Sequence, residues 1–135
     1  MNYRLPLSFQ IHYADIDEQH IVLVSTVNDC LDATQNGDTD RFLNHLGNFI
    51  GLLAEHFEYE EALMSNNRYP WLPNHHVHHK DALEKVRRLR DRLVDQDVNM
   101  AEIPPILFNE ILFDIARADF KFNDYLIGAD LKDAC

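Results

Sequence analysis

His20, His56, Glu60, His75, His79 and Asp119 sit where helical spacing calls for apolar side chains. His56 and Glu60 are four residues apart, as are His75 and His79, so each pair projects from one helix face. Burying one such group without a partner costs about 1–3 kcal/mol, and more if it is charged. Six of them would outweigh the stability of a typical small domain. They must satisfy one another or share something buried, and a metal site answers that need. Neutral imidazole with carboxylate suits iron, manganese or zinc better than calcium or magnesium. No cysteine lies on these stripes, which argues against an iron–sulfur cluster or a structural zinc. Four imidazoles and two carboxylates exceed what one ion normally uses, whereas two carboxylate-bridged metals use them all. Singly, each feature is weak. A lone HxxxH is common, and residues 76–78 read His-Val-His, without the glutamate of the zinc-protease pattern. The weight comes from all six falling on four consecutive helical seams.

Those seams belong to four expected helices. The first fifteen residues hold Pro6 and alternate poorly, which predicts an extended arm. Asp15 or Asp17 then caps a first helix with Ile16, His20, Leu23, Val27 and Leu31 on its stripe. Asn36-Gly37-Asp38 ends it. The second helix carries Phe42, Leu46, Phe49, Leu53, His56, Glu60 and Leu63, and ends near Met64. Two prolines make residues 68–74 a loop. The third helix places His75, His79, Ala82, Val86, Leu89 and Leu93 inward, with Arg87, Arg88, Arg90 and Arg92 on a solvated face. Pro104-Pro105 suits the first turn of a fourth helix. Its stripe is Phe108, Leu112, Ile115, Asp119, Phe122 and Leu126, and Gly128 is the expected stop. The expected fold is all-α: an up-down-up-down antiparallel four-helix bundle with an extended N-terminal arm, forming one domain over residues 1–135.

Composition agrees and narrows the partners. A formal charge of −11 argues against nucleic acid or an anionic membrane surface. A hydrophobic content of 46% is too high for a disordered acidic tail. No apolar run approaches the roughly 20 residues of a membrane helix, and residues 1–10 do not read as a signal peptide. Cys30 and Cys135 make no disulfide framework, and Cys30 reads as a small hydrophobe. A cytoplasmic protein is expected. His12, His45, His76 and His78 fall off the stripes and read as surface or loop residues, with His76 and His78 as candidate outer neighbours of the cluster.

Three motifs resemble the hemerythrin family in its single-domain bacterial form. They are Ile16-Asp17-Glu18-Gln19-His20, His56-Phe57-Glu58-Tyr59-Glu60-Glu61, and Tyr69-Pro70 followed by His75 and His79. The resemblance covers nearly the whole chain. It implies a non-haem, carboxylate-bridged centre of two iron ions that binds dioxygen or another small diatomic or peroxide ligand. Carried over, His20 and His56 would hold one iron, His75 and His79 the other, and Glu60 and Asp119 would bridge them. Phe57, Ile111 and Ile115 neighbour ligand positions and are candidates for an apolar lining of the ligand pocket.

The fourth helix departs from the family pattern. A histidine five residues before the bridging aspartate is expected, and Asp114 stands there. Five residues turn a side chain through about 140° on an ideal helix. Asp114 is thus a candidate seventh ligand that binds after a local widening of the helix, binds through a water, or does not bind. A third carboxylate would favour the ferric state. Three functions stay open: a non-enzymatic protein that carries, stores or senses dioxygen; a di-iron oxidase or peroxide-reducing enzyme; and an iron-holding protein. Sensing would need a separate signalling or redox partner.

Overall fold

A computed structural model describes residues 3–4 and 14–133, and the side chains among these up to 128. Four antiparallel rods form the bundle: α1 (Ala14–Gln35), α2 (Thr39–Asn66), α3 (Leu72–Val94) and a composite fourth rod. The fourth rod begins with α4 (Ile103–Ile106), widens into a π segment (Leu107–Leu112), and continues as α5 (Phe113–Asp133). There is no strand among the described residues. Among the described residues, no helix is long and apolar enough to cross a membrane.

The connections follow from local chemistry. Gly37 takes φ +65°, a left-handed turn that costs glycine nothing. Asp38 then caps α2 by accepting from the Arg41 amide at 3.1 Å. Asn99 and Glu102 form a capping box ahead of the fourth rod, and Pro104 and Pro105 occupy its first turn.

Three boundary expectations need correction. Asp15 and Asp17 lie inside the first turn of α1 and do not precede it as caps. There they still favour the helix, because a carboxylate suits the positive end of the helix dipole. The predicted loop over 68–74 is shorter, because Pro73 falls at the start of α3, where its missing N–H is no loss. Gly128 does not end the last helix; its φ is not positive and α5 runs through it. The predicted N-terminal arm lies mostly outside the described residues, as does His12. Tyr3 is described: its amide donates to Asn28 and its ring stacks on Phe108 at 4.6 Å.

The interior is layered along the bundle axis. The larger apolar cluster includes Leu23, Val27, Phe42, Phe49, Leu53, Val86, Leu107 and Ile115. A smaller one holds Met64, Tyr69 and Phe122. His20, His56, Glu60, His75, His79 and Asp119 fall between the two, and all are buried. Each fully buried Leu or Phe contributes about 1.5–3 kcal/mol, which is what lets the bundle tolerate a polar layer.

Candidate metal centre

Each rod brings its share of the polar layer by helical spacing. α1 supplies His20, α2 His56 and Glu60, α3 His75 and His79, and α5 Asp119. Their ligand atoms converge in two groups that share Glu60. One is His20, His56, Glu60 and Asp119; the other is Glu60, His75 and His79. His20 Nε2 donates to Asp119 Oδ2 at 2.8 Å. His56 Nε2 stands 3.0 Å from Glu60 Oε2 and 3.6 Å from Asp119 Oδ2. His79 Nε2 lies 3.3 Å from the other Glu60 oxygen. One carboxylate thereby faces imidazoles of both groups.

Many of these atoms lack partners. Both oxygens of Glu60, Asp119 Oδ1, His56 Nε2 and His75 Nδ1 are buried without a hydrogen bond. Buried polar atoms are nearly always paired, so five orphans in one layer mark a place for a cation. Electrostatics agree. Burial opposes charge on His56, but its contacts with Asp119 and Glu60 outweigh that and raise its pKa to about 9. Burial likewise opposes ionisation of Asp119, yet the hydrogen bond from His20 and the nearby His56 ring hold its pKa well below the usual carboxylate range. Burial lowers the pKa of His75, which keeps it neutral with a lone pair to give. Oxygen and imidazole donors in this arrangement fit borderline transition-metal ions.

The family model described as the hemerythrin HHE cation binding domain matches residues 12–119. The chain belongs to the hemerythrin family. Among similar proteins, the myohemerythrin of Theromyzon tessulatum is 24% identical over 124 residues, 92% of this chain and 93% of that protein. A hemerythrin chain of Sipunculus nudus is 29% identical over 119 residues, 88% of this chain and 89% of its own. Myohemerythrin-1 of Phascolopsis gouldii is 29% identical over 120 residues, covering 88% and 90%. The matched span closes on Asp119, the last member of the polar layer.

In this hemerythrin-family chain, Asp114 is not brought to the cluster. Its side chain is 56% exposed, and its Oδ2 accepts from His78 Nε2 at 2.6 Å. The physical reason is the placement of the π widening. It covers Leu107–Leu112 and is over before Asp114, so Asp114 and Asp119 are separated by ordinary α-helix and diverge. The pocket candidates are all buried. Phe57 stacks face to face on His79, with centroids 3.9 Å apart, and Ile111 and Ile115 belong to the larger apolar cluster.

Several functional neighbours escaped the spacing pattern. Gln19 Oε1 accepts from His56 Nδ1, and Glu61 accepts from both His76 Nδ1 and His79 Nδ1. Such bonds fix the tautomer that turns the other ring nitrogen toward the cluster. Each lies one residue from a candidate ligand position, next to His20 and Glu60, and adjacency was the signal available. Tyr69 packs edge-on against His75 and closes the layer from the small apolar cluster. His45 is half-buried, not a surface residue, and its Nε2 has no partner.

Proposed function

We propose that this chain is a non-haem di-iron protein that binds dioxygen at a carboxylate-bridged centre inside the bundle, for carriage, storage or sensing. The observation that carries the reading is the pair of buried ligand groups joined by Glu60, with five of their polar atoms buried and unpartnered. His20 and His56 would hold one iron, and His75 and His79 the other. Glu60 and Asp119 would bridge them. When bound, two ferrous ions supply the electrons that make reversible dioxygen binding possible. The chain's own contribution is orientation and dryness. Gln19 and Glu61 hold His56 and His79 by their outer nitrogens. Phe57, Ile111 and Ile115 keep water and protons from the centre, which suppresses irreversible oxidation. The reading places the protein in the cytoplasm, in keeping with the free, buried thiol of Cys30.

One observation favours a second reading. Asp114 leaves the His75 and His79 position with fewer protein ligands, which would suit a di-iron oxidase or peroxide-reducing enzyme. Anaerobic loading with ferrous iron, exposure to air and purging with argon separates the two. Recovery of the starting spectrum supports carriage. Prompt irreversible oxidation with peroxide consumption supports the enzyme. Uptake far above two irons per chain would defeat both in favour of iron storage.

A further inference from the structure

A chain of aromatic rings leads from the polar layer to the surface. Tyr69 is buried and packs edge-on against His75, with ring centroids 5.4 Å apart. It also meets the indole of Trp71, again edge-on, at 5.7 Å. Trp71 is 56% exposed and is the chain's sole tryptophan. It stands at the N-cap of α3, where a short polar side chain is favoured, and makes no capping bond. Neither burial nor capping accounts for an indole here, and exposed tryptophan suits a contact with a partner. Tyr69, Trp71 and His75 line one cavity of about 460 Å³. Indole and phenol rings give up single electrons at potentials where phenyl rings do not. Phe57 stacks on His79 but lacks that chemistry. The hydroxyl of Tyr125 is tied to the carbonyls of Asn67 and Arg68.

We propose that Trp71 and Tyr69 carry single electrons between an external one-electron carrier, which touches Trp71, and the His75 side of the centre. The carrier is oxidised by one electron, and a ferric ion held by His75 is reduced by one. Two such transfers return a diferric centre to the diferrous state, and no bond forms or breaks. Electron tunnelling decays steeply with distance, so rings in contact divide a long gap into short ones. The electron's destination rests on the di-iron reading above. The coupling of Trp71 to Tyr69 does not, because it follows from ring contact alone.

Pulse radiolysis tests the relay in the metal-free full chain. The azidyl radical, a one-electron oxidant selective for indole, removes an electron from Trp71. The indole-radical band should decay by intramolecular transfer into a phenoxyl band, as Tyr69 loses an electron and releases its hydroxyl proton to solvent. Tyr69→Phe keeps the ring packing and should slow that decay about tenfold or more, whereas Tyr59→Phe should match the parent. Equal decay in the parent and Tyr69→Phe overturns the relay. In the ferrous-loaded chain, with iron counted in every sample, the centre should fill the vacancy. That reads as faster indole decay and an odd-electron EPR signal from iron in place of the phenoxyl band. Neither change in a chain holding two irons overturns the link to the centre. A chain that fails to take up two irons defeats the di-iron reading, and with it the electron's destination. Finally, the oxidised iron-loaded chain is reduced with photogenerated, uncharged riboflavin semiquinone. Trp71→Leu alters an exposed side chain, so the iron count should hold while reduction slows about fivefold. An unchanged rate overturns Trp71 as the point of entry.

Discussion

Asp114 and Asp119 share one helix and part company: Asp119 is fully buried against His20, while Asp114 faces outward and bonds His78 at 2.6 Å. They stand five positions apart on regular α-helix, which directs them to different sides. The cluster therefore gathers two carboxylates and four imidazoles, without the third carboxylate that would bias iron toward the ferric state.

Asp114→Ala should leave the iron count unchanged. The bond it removes is exposed, so stability should fall by about 0.5 kcal/mol or less. Elemental analysis and thermal unfolding check this, and loss of one iron would show that Asp114 is a ligand. Asp114→His, which restores the residue type of the family pattern at this position, should slow irreversible oxidation in air. An equal or faster rate would contradict the account of that position.

Glu60→Ala removes the one carboxylate that both ligand groups share. Iron should drop from two per chain to one or none while helicity is retained. A variant that keeps both irons after gel filtration would refute the proposed bridging.

Glu61→Ala frees the outer nitrogen of His79. Loss of such a supporting bond typically weakens metal binding about 10–100-fold. Glu61→Gln, which keeps an acceptor oxygen, should recover most of it. Competition with a coloured chelator measures both, and equal affinities for Ala and Glu at this position would rule out the positioning role.

The metal-free protein should be most stable near pH 6.5. The pKa of His56 is raised to about 9 by Asp119 and Glu60 against burial. Its stabilisation is complete below its unfolded pKa of about 6.5 and is lost as pH rises through about 9. Asp119 is depressed, so its contribution holds above about pH 4 and is lost in acid. His75, lowered by burial, destabilises the fold as pH drops below about 6.5. Melting temperatures of chelator-treated protein across pH 4–10 (roughly the span of these groups) test this. A flat profile from neutrality to alkaline pH would be the contrary result.

Cys30 should resist thiol reagents in the folded chain. It is fully buried, and burial together with Asp29 pushes its thiol up to about 12. A Cys135→Ser variant leaves it as the sole thiol. Labelling should require denaturant, and rapid labelling of native protein would mean that the interior of α1 is open.

The four rods and the six inward polar side chains could be read from residue order alone, because both follow from a local period of 3.6 residues. His20, His56, Glu60, His75, His79 and Asp119 each replace an apolar residue on a regular stripe, so their burial was implied by position. Long-range packing settled the remainder. Whether position 114 faces in or out depends on where the π turn falls, and no residue type announces a π turn. Gln19 and Glu61 become supports only when α1, α2 and α3 lie side by side, since their bonds span 37 and 18 residues. Contacts between distant segments are set by three-dimensional placement, which a helical repeat does not encode.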